Sequence, residues 1–402
     1  MTPDGAPTMS SECKKVYLEP PWRYHAYASQ LASSPPSGYE FILQPKKERK
    51  VWDRLSRSDI GHPSLQILNS IMPTSLVKSW FDRVHPAPRA TALTYAFDHL
   101  VLRPEPWVVE VEYASLLLSA NPKHFPRFKT SIEKALSSTF CRKIICWSSI
   151  SRQGLIQDLD SSKFANKIEL VNYAVPSRRF GKQYDTSKPI RLLMTGSGTS
   201  KGGFDARGGR EVIEMFVKLR ERFPELELVI RSDVPTEIKR QWHGTNGITI
   251  IESLLPANEL DAHFRSADIF VLPSHTTLPT NILDAMSYGL PVVTLDSWAN
   301  NEFVKDGVTG FVVGQSTNRV RGRTDHQPNW GTSTFERSWR VTNPLVVADL
   351  VEKMTILIEN SDLRRKMGET GLKNIEKGKF SIVTRNARLK QIFDEAISIS
   401  RY

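Results

Sequence analysis

Two stretches of the chain hold residues whose types and spacing suit anion chemistry. The first, 194–209, reads Met-Thr-Gly-Ser-Gly-Thr-Ser-Lys-Gly-Gly-Phe-Asp-Ala-Arg-Gly-Gly. Glycines there let a backbone approach a ligand closely, and a following helix offers free amides. Lys201 or Arg207 beside them would neutralise a diphosphate. Taken alone, the same residues are equally a flexible Gly-Ser surface loop. The second stretch, 273–293, reads Pro-Ser-His-Thr-Thr-Leu-Pro-Thr-Asn-Ile-Leu-Asp-Ala-Met-Ser-Tyr-Gly-Leu-Pro-Val-Val. It suits a strand end, a tight polar loop, an amphipathic helix opening near Thr280, a stop at Gly289 and a second buried strand. That order aims helix amides at the carboxyl end of a parallel sheet, where phosphates bind.

The elements that must position these loops alternate in type. Strands are expected at 190–194, 226–230, 248–251, 268–272, from 291, and at 310–313. Helices are expected at 210–223, 258–267, from 280, and around 301–305. In the first of these helices Val212, Ile213, Met215, Phe216 and Leu219 form one apolar stripe. This rhythm predicts a doubly wound parallel sheet. The N-terminal half is less regular, with strands expected at 16–18, 39–43, 91–96, 107–111, 143–147 and 168–171. The fold class is therefore α/β, with two Rossmann-like doubly wound domains facing a cleft. The expected boundaries are a disordered tail 1–13, a first domain 14–178, a second domain 179–380, and a last helix 381–402. The polar, aperiodic run 176–189 carries the main boundary. A second irregular run, 315–342, holds Trp330, Trp339 and several arginines.

The 273–293 segment resembles the donor-site segment of retaining GT-B glycosyltransferases, glycosyltransferase family 4 in particular. That pattern places two glutamates ahead of an Ala-Met and a Gly-x-Pro-Val-Val. Counting back from Ala285-Met286, Asp284 falls on the second glutamate and Thr276 on the first, so one carboxylate is kept and one is missing. The resemblance implies that Asp284 accepts hydrogen bonds from the ribose hydroxyls of a sugar nucleotide. It implies that Thr277, Leu278, Pro279, Thr280 and Asn281 turn amides toward the diphosphate. Gly196-Ser197 stands where the family has Gly-Arg, so that arginine is absent. Arg207, followed by Gly208, keeps the family's spacing from its Lys-Gly to a helix aromatic at Phe216, and is preferred to Lys201 for that role. Ser253-Leu254 falls where the family contacts the base.

The resemblance implies that the domain 14–178 lies on the acceptor side and that 179–380 binds the nucleotide sugar. The N-terminal domain of the family usually brings a glycine-rich loop and a histidine, and neither is clear here. The first strand runs into Glu19-Pro-Pro-Trp-Arg, and Glu112 or Tyr113 stands where the histidine is common. Glu110 and Glu112 share a strand face, and Glu112 at the carboxyl end is the expected cleft residue; both are otherwise a solvated strand end. Thr276, Arg207 and Glu112 are the candidate catalytic residues. Asp158-Leu-Asp160 matches a metal motif of another glycosyltransferase fold but ends an apparent helix. His275 has no serine or cysteine partner at a nucleophile elbow. No histidine shows metal-ligand spacing, and no metal or cofactor is expected.

Composition narrows the class. An apolar share of 40% and a charged share of 24% suit a soluble globular chain, and 402 residues suffice for two cored domains. Three scattered cysteines point to a reducing compartment. The first residues are polar, without a signal-peptide core, and no run approaches the ~20 apolar residues of a membrane span. The expected location is the cytoplasm, with peripheral contact at the inner face of an anionic membrane as a further expectation. A net charge of +11 also suits nucleic acid, but no nucleic-acid-binding signature accompanies it. A merely solvated basic face explains it as well. The resemblance implies a retaining, metal-independent glycosyltransferase acting on a nucleotide-sugar donor and a saccharide or lipid-linked acceptor. Its rivals are a catalytically impaired GT-B protein serving as a binding or scaffolding subunit and, behind it, a sugar-nucleotide epimerase.

Overall fold

The computed structural model describes residues 13–19, 26–43, 71–83, 87–88, 90–118, 124–178, 182, 188–196, 203–242, 244–252, 254–276, 279–314 and 337–398. Residues 1–12 of the expected tail lie outside these, as do Ser197, Lys201, Ser253, Thr277 and Leu278.

The first sheet is built from β1 (Lys14–Glu19), β2 (Tyr39–Leu43), β3 (Leu93–Phe97), β4 (Trp107–Glu110), β5 (Cys141–Cys146) and β6 (Ile168–Leu170), in the order β2-β1-β3-β4-β5-β6. The second contains β7 (Arg191–Thr195), β8 (Glu227–Arg231), β9 (Ile248–Ile251), β10 (Ile269–Leu272), β11 (Val292–Leu295) and β12 (Gly310–Val313), in the order β12-β11-β10-β7-β8-β9. Every pairing is parallel. The central strands are buried on both faces, which is why they read as unbroken apolar runs such as Ile-Phe-Val-Leu in β10. The expected α/β class with two doubly wound domains is the observed one.

Strand order decides where chemistry can sit. In the second sheet the chain goes from β7 outward to β9, then crosses back to β10 on the other side of β7. The loops after β7 and β10 therefore part in opposite directions and leave a crevice between them. In the first sheet the same reversal falls between β1 and β3.

Residues just past the strand ends of one sheet meet those of the other. Tyr113, after β4, lies 5.7 Å from Trp298, after β11, measured between ring centroids. Trp147, after β5, lies 5.7 Å from Phe303, which stacks on Phe380 at 5.3 Å. Glu302 caps the helix Ser149–Asp158 of the first domain, accepting the Ser149 amide at 2.8 Å and the Ile150 amide at 2.9 Å. A carboxylate there meets free N–H groups and the positive helix end together. The two carboxyl edges thus face one another.

The helices Pro344–Glu359 and Ser361–Glu376 pack in the second domain, each opened by an asparagine cap, Asn343 and Asn360. The last helix, Ile382–Ser398, instead covers the first sheet. It buries Leu389, Ile392, Phe393 and Ala396 there. Phe393 packs edge-on against Tyr39 at 5.2 Å and against Phe41 and Tyr95 at 6.0 Å each. The Tyr39 hydroxyl donates to Asp394 at 2.6 Å. Removing the Phe393 ring leaves a cavity in this sheet-to-helix contact. Phe393→Ala should cost about 3–5 kcal/mol in chemical unfolding. A loss below about 1 kcal/mol would mean the helix contributes no core.

Candidate donor site at the edge of the second sheet

Arg207 is placed by its glycine neighbours. The short helical turn Gly203–Ala206 precedes it, and Gly208 follows with φ 74°, capping the helix Gly209–Arg222. A Cβ at Gly208 would lie 2.3 Å from the Pro273 carbonyl oxygen, so glycine is required by both backbone angle and space. This close approach lays the β10 loop against the β7 loop. The His275 amide donates to the Ala206 carbonyl at 3.0 Å, and Ser274 Oγ lies 3.3 Å from the same oxygen. Arg207 Nη1 then donates to Thr276 Oγ1 and reaches Ser274 Oγ at 3.4 Å.

Thr276 is buried, and its hydroxyl is engaged by Arg207. It therefore orients the guanidinium directly. Asn281 ties the opening of the helix Pro279–Ser287 to the end of β7, its amide donating to Thr195 O at 3.2 Å and Oγ1 at 3.0 Å. Thr280 and Asn281 sit half-buried in that first turn, with Pro279 buried. Gly196 faces this junction, since a Cβ on it would lie 3.8 Å from Arg207 Cγ.

No carboxylate among the described residues lies within ion-pair distance of Arg207, and its Nε is buried without a hydrogen-bond partner. Burial lowers its pKa to about 10, opposed by the charge of Glu112. A guanidinium stays charged there, so Arg207 is a half-buried cation that no carboxylate among the described residues pairs with directly.

Glu112 approaches from the first domain. It follows β4, half-buried, and its amide donates to Asp98 Oδ1 at 3.0 Å. Burial, and then the Asp98 carboxylate, push its pKa up to about 8, with Arg207 pulling the other way. Asp98 is itself raised to about 7, first by burial; the Glu112 amide opposes the shift and Glu110 adds to it. Asp98 holds φ 50°, a left-handed angle uncommon outside glycine. Glu110 is separate. It is buried and accepts the Tyr95 hydroxyl at 2.6 Å and the Tyr173 hydroxyl at 2.8 Å, so it serves the interior.

Asp284 lies one turn into its helix, half-buried, with Oδ1 3.7 Å from Arg178 Nη2. Burial raises its pKa to about 6, opposed by Arg178. Arg178 also lies over the Tyr288 ring at 5.5 Å. Leu254 stands exposed beyond β9.

Other sequence candidates have local partners. His275 is buried with Nε2 3.4 Å from Glu211 Oε1. His99 is fully buried between the Phe97 carbonyl at 2.9 Å and Glu19 Oε1 at 3.0 Å. Burial alone would raise the Glu19 pKa, but His99, Lys78 and Arg103 hold it well below the usual carboxylate range. Asp160 accepts the Ser162 amide at 3.2 Å, a turn cap. Asp98 and Arg178 lacked any sequence signal beyond residue type, because each gains its place only through tertiary packing.

Parts of the chain resemble known glycosyltransferases. A family profile, Glycosyl transferases group 1, matches residues 190–320. Sulfoquinovosyl transferase SQD2 of Arabidopsis thaliana is 24% identical over 234 residues, covering 56% of this chain and 40% of that protein. The GDP-mannose-dependent alpha-(1-6)-phosphatidylinositol monomannoside mannosyltransferase of Mycolicibacterium smegmatis is 32% identical over 119 residues, or 27% of this chain and 31% of that one. The chain thus matches less than half the length of these curated relatives. Anabaena Alr3699/HepE, solved with UDP and glucose, superposes with a TM-score of 0.60 at 14% identity, over 95% of this chain and 99% of that one. A likeness that distant speaks for the fold alone. The group 1 match lies on the sheet that carries Arg207 and Asp284, and the two-domain fold of the solved neighbour runs through the whole chain.

Proposed function

We propose that the chain is a retaining, metal-independent glycosyltransferase of the family 4 kind. It moves a sugar from a nucleoside diphosphate to a hydroxyl acceptor in polysaccharide or glycolipid assembly. The observation that carries this reading is Arg207, a half-buried guanidinium whose Nε is buried and without a hydrogen-bond partner, with no ion-paired carboxylate among the described residues and Glu112 of the other domain acting on it. A leaving diphosphate gains charge as its bond to the sugar breaks. A cation and amides already fixed at that point stabilise the charge without reorganising. Arg207 and the first-turn amides of the helix Pro279–Ser287 take that task, in place of a metal ion.

Glu112 faces the sugar side. With its pKa near 8 it is largely protonated at neutral pH, so it donates a hydrogen bond to a sugar hydroxyl. Asp284 accepts from the ribose. The acceptor hydroxyl attacks from the face that the diphosphate leaves, and its proton passes to a diphosphate oxygen, so no strong protein base is needed. Thr276 in place of a glutamate is tolerated because its hydroxyl serves Arg207. The names of relatives support the donor class: one is GDP-mannose-dependent, and HepE was solved with UDP and glucose. A lipid-linked acceptor and contact with an anionic membrane are the corresponding reading of the net charge of +11.

Calorimetry with UDP and GDP tests the site. One of them should bind in the micromolar range, and Arg207→Ala should weaken it by about tenfold or more. A panel of nucleotide sugars, with the product's anomeric configuration read by NMR, tests the chemistry. Transfer with retention is expected. Inversion contradicts the mechanism, and binding without turnover favours the scaffolding rival.

A second expectation concerns pH. Glu112 binds its proton more tightly folded than unfolded, against an ordinary value of 4.5. Its contribution to stability is full below the unfolded value and is lost as pH rises toward about 8. The melting temperature should therefore fall more between pH 5 and 8 in the wild type than in Glu112→Gln. Equal declines would show that Glu112 is not held neutral.

A further inference from the structure

The loop after β7 runs Gly196-Ser197 with no arginine beside the glycine. An arginine reaches the same glycine from the neighbouring strand. β7 pairs with β8 in the register Thr195↔Arg231. The Gly196 amide donates to the Arg231 carbonyl at 2.7 Å, and Arg231 Nη1 donates back to the Gly196 carbonyl at 2.9 Å. One end of the guanidinium is thereby anchored, which fixes the direction of its remaining N–H groups. Arg231 is half-buried, and its Nε is buried with no hydrogen-bond partner. Burial lowers its pKa, and no carboxylate among the described residues pairs with it.

The next residue adds a second donor. Ser232 is fully buried, and its Oγ has no hydrogen-bond partner. A Cβ at Gly196 would lie 2.3 Å from that Oγ and 3.8 Å from Arg207 Cγ. Gly196 is therefore the floor of a cluster in which Arg207 Nε, Arg231 Nε and the Ser232 hydroxyl have no hydrogen-bond partner. Donors without acceptors, and cations without carboxylates, are an imbalance that an anion with several oxygens removes.

We propose that Arg231, with the Ser232 hydroxyl, is a second anchor for the donor's diphosphate, supplied by β8 in place of an arginine after Gly196. The inference rests on the reading of Arg207 as the donor site and adds a residue to it. Arg231 acts in binding; the charge on the leaving group at the moment of cleavage is met by Arg207.

The test is calorimetry on the full chain with UDP, GDP, inorganic pyrophosphate, uridine and guanosine, with thermal melts to show that each variant folds. Arg231→Ala should weaken the nucleoside diphosphate and pyrophosphate by about tenfold or more and leave the nucleosides unchanged. Arg231→Lys should recover part of the loss. Ser197→Arg placed in Arg231→Ala should restore affinity to within about threefold of the wild type. Unchanged diphosphate binding in Arg231→Ala, while Arg207→Ala weakens it, overturns the inference and leaves the donor site standing. Equal weakening of nucleoside and diphosphate assigns Arg231 to loop shape and overturns the inference too. A wild type that binds neither nucleoside diphosphate nor pyrophosphate overturns both.

Discussion

A half-buried positive charge that no carboxylate among the described residues pairs with directly is the constraint on which the rest depends. Holding a guanidinium out of water is unfavourable unless an anion or dense hydrogen bonding compensates it. At Arg207 the protein supplies the Thr276 hydroxyl, a distant contact to Ser274 and the field of Glu112, which is itself raised toward neutrality. That balance leaves the site electropositive. The close approach of Gly208 to the Pro273 carbonyl, which any larger residue would strike, lays the loop that carries Arg207 against the loop after β10.

The fold converts that local arrangement into a two-sided site. The crossover between β7 and β10 opens one crevice, and the crossover between β1 and β3 opens another. Aromatic contacts between Trp147, Phe303 and Phe380, with the Glu302 cap on the helix Ser149–Asp158, turn the two crevices toward each other. The last helix closes the first sheet through Phe393, so the chain crosses between the domains twice. Glu112 and Asp98 stand on the first-domain side, and Arg207 and Asp284 on the second. This polarity suits a sugar held by hydroxyl contacts next to a diphosphate held by charge.

Much of this was legible because parallel strands and their loops leave strong marks. Apolar runs at 269–272 and 292–295 and the glycine at 208 place the second sheet and its loops within a residue or two of their observed ends. Glu110 and Glu112 alternate onto one strand face, and they occupy different environments: two tyrosine hydroxyls hold Glu110, while Glu112 follows the strand end beside Asp98. Partnership was less legible. Thr276 read as a poor substitute for a sugar-binding glutamate, whereas its hydroxyl holds Arg207. Asp98, Arg178 and Arg231 gain their places only when strands distant in sequence become neighbours. The helices at 344–359 and 361–376 carried start signals, an Asn-Pro at 343–344 and an asparagine at 360, which the βα rhythm upstream overshadowed. Glu302 lies in the short helix expected around 301–305, and its carboxylate joins the two domains.

The most direct measurement is a crystal structure of the full chain grown with saturating UDP or GDP. The diphosphate oxygens should lie within about 3 Å of the Arg207 guanidinium, with the ribose hydroxyls turned to Asp284. A nucleotide bound elsewhere while Arg207 remains turned onto Thr276, or crystals without nucleotide at that concentration, would contradict the account.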